Sequence, residues 1–392
     1  MSQHKLSVAI VGAGIGGLTA AIALLRRGID VQIYEQASTF ARIGAGIQQT
    51  PNAIKVLRAI GLEERLRLAA FRPRSAVNRQ WNTGAVTNEY GLGDDIERRF
   101  GAPHLLLHRG DLHHILASAV PRQVIRLNHQ LTGFDQTNDG IKLFFGNGAR
   151  AQADALIGAD GIHSRVRQIM LGPEKPRFTG RVAYRTTYPA SRLGGLAVGD
   201  NTKWWGPDRH IVIYYVRPRR EEIYFVTSTP EPDFEVESWS ATGDLGTLRA
   251  AYARFYPEVG AVIGACPAVH KWALVERDPL PRWSDGRVVL LGDACHPMTP
   301  YMAQGAAMAI EDAAILARCL ERVDVDGIGE AFRCYEFTRQ PRTSKIQLTS
   351  GQNTWMRTPT DPGWVYGYDA WHEPLTSPST DCRLAPGETP GT

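Results

Sequence analysis

The chain has 392 residues and a formal net charge of +4. That length exceeds one typical single-core domain, so two lobes are expected, while a charge this small leaves no nucleic-acid footprint. No apolar run is long enough to span a membrane, and Met1 to Lys5 leads straight into an apolar stretch, so neither a membrane anchor nor a signal peptide is expected. The five cysteines, Cys266, Cys295, Cys319, Cys334 and Cys382, have neither metal-ligand nor C-x-x-C spacing, and no metal site is expected; an odd, scattered set suits a reducing cytoplasm.

Leu6 to Val11 reads as a buried strand, followed by Gly12-Ala13-Gly14-Ile15-Gly16-Gly17, a helical run to Arg27, and a second strand, Val31 to Tyr34, ending in Glu35. This is the G-x-G-x-x-G pattern inside the βαβ frame it requires. Gly12 allows a tight turn, Gly14 lets backbone approach a pyrophosphate, and Gly17 lets helix and strand pack closely; Glu35 is placed to accept hydrogen bonds from ribose hydroxyls. The plainer alternative, a helix cap and a surface carboxylate, leaves the three glycines unexplained.

The next stretch, Ala41-Arg42-Ile43-Gly44-Ala45-Gly46-Ile47-Gln48, sets two glycines beside an arginine, a loop able to lie against a planar ring and bring a cation near it. A tight connection would look the same. Thr50-Pro51-Asn52 then opens a helix to about Arg58, and a further helix begins near His108 with Asp111 as its cap and Arg109 just before it. Arg109 could meet a phosphate or a ring oxygen, or be an exposed structural residue. Ala155 to Gly158 is another strand, ending in Ala159-Asp160-Gly161, where Asp160 can orient the turn and Arg165 can attract phosphate or hold Asp160.

From about Phe178 to Trp272 the pattern changes to period-two alternation, clearest in His210 to Val216 and Ile223 to Ser228, with a hairpin turn over Arg217 to Glu222. On such a strand His210, Val212 and Tyr214 share a face, so an imidazole and a phenol could meet one ligand; a core tyrosine and a surface histidine are equally compatible. Val288 to Leu291 is a buried strand closed by Gly292-Asp293, and Gly305 opens a helix. The carboxylate and the unpaired amides at that helix start can hold a charged cofactor, although an ordinary βα unit would read alike. Ile328 to Ser350 is helical in pattern with a break or kink at Pro341 and with Arg333, Arg339 and Arg342 facing solvent; it could cover a pocket or form a dimer contact. Beyond Pro374 the composition is that of a disordered tail.

The three motifs together, G-A-G-I-G-G at Gly12 to Gly17, G-A-D-G at Gly158 to Gly161 and G-D-A-C-H-P at Gly292 to Pro297, resemble those of the single-component flavin-dependent aromatic hydroxylases, in family order and over the chain to about His372. The resemblance implies an α/β (α+β overall) fold: a Rossmann-like FAD-binding domain from residues 1–177 and 273–325, a substrate domain built on an antiparallel sheet at 178–272, C-terminal helices at 326–372 and a tail at 373–392. It implies FAD held by Gly12, Gly14, Gly17, Glu35, Gln36, Arg42, Ala45, Gly46, Arg109, Asp160, Asp293, Pro297, Gly305 and Ala306. NADH or NADPH would be the transient electron donor and O2 the co-substrate, with oxygen transferred from a flavin C4a-hydroperoxide.

The implied substrate is a small hydroxy-substituted aromatic or pyridine carboxylate, with His210 as base, Tyr214 orienting the ring, and hydroxylation that could expel the carboxylate. Gln48, Tyr301 and Asn201 would line the pocket. They stand where pyridine-acting members of the family carry histidine, histidine and cysteine, and Gln48 and Tyr301 are more like the hydroxybenzoate-acting members. A monomer or homodimer is expected. A flavin oxidase or dehydrogenase that inserts no oxygen, and a flavin-dependent redox sensor, are the alternatives.

Overall fold

The computed structural model describes residues 5–42, 45–234 and 242–377; most of the expected tail, and Ile43 and Gly44 of the glycine loop, lie outside the described residues. A six-stranded sheet runs in the order Ser284–Asp285, Val288–Leu290, Ala155–Gly158, Ser7–Val11, Asp30–Tyr34, Ile125–Arg126. All its pairs are parallel except that of the Ser284–Asp285 edge. Parallel strands are covered on both faces, which is why they read as continuous apolar runs: Ile10, Ile33, Ile157 and Val289 are fully buried and lie in register. The Ile15–Leu25 and Gly305–Cys319 helices pack on this sheet and against each other. The two cofactor motifs at opposite ends of the chain thereby become neighbours.

The second large sheet has eight strands, ordered Thr242–Gly243, Val269–Glu276, Arg177–Pro189, Glu222–Pro230, His210–Tyr215, Asn201–Trp205, Ser75–Gln80, Val86–Gly91. Its last two strands come from residues 75–91, which the sequence division places with the first lobe. The short alternating runs Ser75–Gln80 and Val86–Gly91 find hydrogen-bond partners only by joining this sheet, and Ser75–Gln80 does so parallel to Asn201–Trp205.

Two expectations about the C-terminal part are corrected. The Ile328–Gly351 helix continues through Pro341, which sits on its exposed side with Phe337, where the carbonyl left without an amide partner can be hydrated. Arg339 is fully buried and Arg342 largely so, whereas Arg333 is exposed. The helix is a buttress. The Gln347 amide donates to the Pro297 carbonyl at 3.0 Å, and the Ser350 hydroxyl to that of Thr299 at 2.6 Å. Residues 352–373 then fold back as a strap, with Lys55 donating to the carbonyls of Gly367 and Tyr368 and Arg318 to those of Ala370 and Glu373.

Candidate active site

The glycine turn is shaped by two close approaches. Gly12 has φ of +104°, and a Cβ there would lie 2.3 Å from the Ala159 carbonyl oxygen; a Cβ on Gly17 would lie 2.1 Å from that of Gly12. Gly14 differs, since a Cβ on it would meet nothing within 4 Å. The space before the first helix is thus kept free of protein, and the helix N-terminus has no side-chain cap. Glu35 closes the turn from the next strand, accepting from the Ala13 amide at 2.8 Å and from that of Ala37 at 2.9 Å, with Gln36 exposed beside it.

Across the groove stand Asp293, Pro297, Gly305 and Ala306, with Arg109 at the start of the Arg109–Ala117 helix. The Gln304 side chain that precedes Gly305 is tied to Thr50 and Asn52, so the amides opening the Gly305–Cys319 helix have no side-chain cap either. Arg109 and Asp293 make no side-chain hydrogen bond among the described residues, and both open onto the groove. Burial raises the Asp293 carboxyl above the usual range, with His296 and Arg109 pulling it back, and burial lowers Arg109 against the pull of Asp293.

One expected role falls elsewhere, and two arginines find protein partners. Asp111 is not the helix cap: His108 is, its Nδ1 accepting from the Gly110 amide at 3.0 Å. Burial drops that imidazole to about 4, so it stays neutral and free to accept. Asp111 pairs instead with Arg42 (3.1 Å) and Arg217 (3.1 Å), and Arg42 also with Glu222 (2.9 Å). Asp160 accepts from the Arg165 and Val166 amides at 2.7 and 3.1 Å, so it does orient its turn, while the Arg165 guanidinium goes to the Thr132 carbonyl.

The groove widens into a cavity of about 470 Å³ between the helix starts and the eight-stranded sheet. Gln48, Ala45, Gly46, Asn201, His210, Val212, Tyr214 and Tyr301 all line or adjoin it. The register explains the sheet wall: Asn201 lies opposite Tyr214, and Trp205 opposite His210. A Cβ on Gly46 would lie 2.7 Å from the Tyr214 hydroxyl, so this glycine lets the loop approach the sheet. Tyr214 is held far above the ordinary phenol range by burial and by Tyr224, and remains a hydrogen-bond donor. His210 is pulled well below its ordinary value by burial, reinforced by Lys203, Arg181 and Arg357, and is a neutral imidazole at pH 7. Tyr301 meets the His210 ring edge-on at 5.4 Å, and its hydroxyl is engaged with Ser228 at 2.9 Å.

Sequence reasoning missed His104, Arg185, Tyr224, Trp355 and Tyr366. His104 is buried, neutral with its value lowered to about 4, and its Nε2 lies 3.0 Å from the Gln48 side-chain oxygen. A proton on that nitrogen would fix the Gln48 side-chain oxygen toward His104. The alternation of the Arg177–Pro189 strand could have placed Arg185 on the ligand face; nothing local announces Trp355 or Tyr366, which arrive with the strap.

Behind the Gly292-Asp293 turn lies a buried charge cluster. Arg339 is 2.7 Å from both Glu311 and Asp312, Arg342 is 2.8 Å from Glu311, and Asp312 also accepts from the Gly292 amide at 3.1 Å and lies 2.6 Å from His296 Nε2. Cys295, His296 and Asp312 come together here without any spacing signal, and the second oxygen of Asp312 is taken by Arg339.

This combination of parallel βαβ sheet, glycine turn, second helix start and sheet-walled cavity defines a dinucleotide-binding flavoprotein architecture. The model of a family described as FAD binding domain matches residues 5–347. The chain belongs to that family and is an FAD-dependent aromatic monooxygenase. It is 45% identical to the 6-hydroxynicotinate 3-monooxygenase of Bordetella bronchiseptica over 95% of this chain and 98% of that one. It is 35% identical to the 3-hydroxybenzoate 6-hydroxylase of Polaromonas naphthalenivorans, over 88% of this chain and 86% of that one. Among solved structures, Klebsiella pneumoniae HpxO complexed with FAD and uric acid superposes with a TM-score of 0.80 at 27% identity, covering 92% of this chain and 90% of that one.

The residues present fit FAD. The open space at Gly14, the uncapped helix starts, and Arg109 and Asp293, which make no side-chain hydrogen bond among the described residues, are the features that a flavin dinucleotide needs along its length.

Proposed function

We propose that the enzyme uses NADH or NADPH and O2 to hydroxylate a hydroxy-substituted pyridine or benzene carboxylate, with 6-hydroxynicotinate as the first substrate to test. The observation that carries this reading is the single cavity in which the FAD-side groups Arg109, Asp293 and Gly305 face His210, Tyr214 and Asn201 of the sheet. The high identity to a 6-hydroxynicotinate 3-monooxygenase over nearly the whole of both chains supports the choice of ring. A 3-hydroxybenzoate-type ring is the second reading, favoured by Gln48 and Tyr301 on the cavity wall. We assign the free thiols Cys266, Cys295, Cys319 and Cys334 to a reducing cytoplasm, and the working assembly to a monomer or homodimer.

Gly12, Gly14, Gly17 and Glu35 would hold the nucleotide end of FAD, and Arg109, Asp293, Pro297, Gly305 and Ala306 would lie along the rest. When bound, FAD supplies the relay of electrons from the nicotinamide to O2 and the delivery of one oxygen atom to the ring. Neutral His210 accepts the proton of the ring hydroxyl, or a hydrogen bond from it, which raises the electron density of the ring carbons. Tyr214, kept protonated, donates to the ring or its substituent. The strap residues Trp355, Met356 and Tyr366 line the cavity and would help to exclude water from a bound ring.

His210→Ala is expected to retain FAD and lower substrate-linked turnover by about 10²–10⁴-fold; unchanged steady-state kinetics would remove His210 from the reaction. The sign of the pH effect follows from its lowered value. The imidazolium forms only below the ordinary value of about 6.5, so the acid limb of kcat/KM should lie below that point and vanish in the alanine variant. For the reaction itself, turnover of 6-hydroxynicotinate under ¹⁸O₂ should place one labelled atom in the product, with CO2 released if the attacked carbon bears the carboxylate. A product without label would identify a flavin oxidase or dehydrogenase instead.

A further inference from the structure

Lys203, half-buried on the cavity wall, is a charged group that the reaction above does not use. It lies on the Asn201–Trp205 strand opposite Val212, so its side chain emerges on the ligand face between the positions of His210 and Tyr214. Among the described residues its ammonium makes no hydrogen bond and no ion pair; its close neighbour is the Trp205 ring, with the nitrogen 3.8 Å from the ring centroid. Other groups facing it do not compensate the charge. His210 is neutral, and the Arg357 guanidinium, 5.0 Å from the same Trp205 ring, adds a second positive charge.

A buried ammonium without a counter-ion is costly, and an aromatic face replaces only part of its lost hydration. Burial, with Arg357 adding to it, accordingly lowers Lys203 to about 7. The site is therefore short of one negative charge at a fixed place on the sheet wall. Val212, His210 and Tyr214 define where a flat ring can lie, and Lys203 is at its flank, on the opposite wall from the FAD-side groups Gly14, Arg109 and Asp293.

We propose that Lys203 binds the carboxylate of the aromatic substrate, so that the substrate itself completes the ion pair and is oriented by it between His210 and Tyr214. This inference rests on the proposed reaction class for the identity of the anion. It makes Lys203 the residue that selects ring acids over uncharged rings, and it leaves His210 free to act on the ring hydroxyl. A purely structural lysine, whose stem packs on Trp205, would show no such selectivity.

The test uses the FAD-loaded protein without nicotinamide, following the flavin absorbance change on titration with 6-hydroxynicotinate, 3-hydroxybenzoate and the carboxamide of each. Wild type should bind the better acid more tightly than its carboxamide. Lys203→Met, which keeps the unbranched stem, should weaken the acid by roughly 10- to 150-fold, the range for a charged hydrogen bond. Its carboxamide affinity and FAD content should be unchanged and its melting temperature no lower than that of wild type, since the uncompensated charge is gone, and Lys203→Arg should recover part of the loss. Equal weakening of acid and carboxamide, or none in either, would overturn the proposal while leaving the reaction class intact. If wild type binds no ring acid at all, the proposed function fails with it.

Discussion

Gly14→Val is expected to give a folded, colourless protein. The position has φ of −73° and ψ of −176°, which valine adopts readily, and a Cβ there touches no protein atom within 4 Å. The added side chain fits the polypeptide and fills only the space reserved at the helix start for a pyrophosphate. The visible spectrum of the purified variant and its thermal melt check both halves, and a normal complement of flavin would refute the assignment of Gly14. Gly17→Ala provides the contrast. Its Cβ would fall 2.1 Å from the Gly12 carbonyl oxygen, so that variant should lose stability as well as flavin.

Arg339→Leu carries the largest expected cost in stability. Arg339 is wholly buried and is shared by Glu311 and Asp312, which are themselves wholly buried. Burial pushes each carboxyl up, yet Arg342 and Arg339 outweigh it at Glu311, and His296 and Arg339 outweigh it at Asp312, so both are held below the usual carboxylate range. Removing one partner of such a cluster leaves buried charge uncompensated, at about 3–5 kcal/mol. Denaturant unfolding should show that loss, whereas Arg333→Leu on the exposed face of the same helix should stay within about 0.5 kcal/mol. Because Asp312 also holds the Gly292 amide, the Arg339 variant should bind FAD more weakly too. The sign of the pH dependence follows: stability from the two carboxylates is present above their unfolded values, near 4, and is lost as pH falls through their lower folded values. Wild type should therefore show an acid-induced loss that the Arg339 variant shows only in part.

Much of the cofactor half was legible because its chemistry is local. The G-x-G-x-x-G turn, the carboxylate ending the next strand and the Gly292-Asp293 turn are each set by a few consecutive residues, whose backbone needs announce themselves as glycine or as four apolar residues in a row. The sheet wall was half legible. Period two correctly put His210, Val212 and Tyr214 on one face, but periodicity names a face without saying what it looks at. Gln48 illustrates the rest. Its place beside the cavity was expected, while the orientation of its amide depends on His104, 56 residues away, through a contact that no pattern records.

Read alone, the sequence determined a dinucleotide-binding βαβ unit, to which the motif resemblance added a flavin, and a second part that is an alternating sheet carrying an imidazole and a phenol on one side. Only the tertiary structure decided that Arg339 and Arg342 are buried counter-ions rather than surface charges, that the Ile328–Gly351 helix passes through Pro341 unbroken, that residues 75–91 belong to the large sheet, and that Lys203 waits in the cavity without an anion. The physical reason is common to all four. Charge burial, helix continuity past a proline and strand pairing are settled by groups far away in the chain, which supply the opposite charge, the solvent or the missing hydrogen bond.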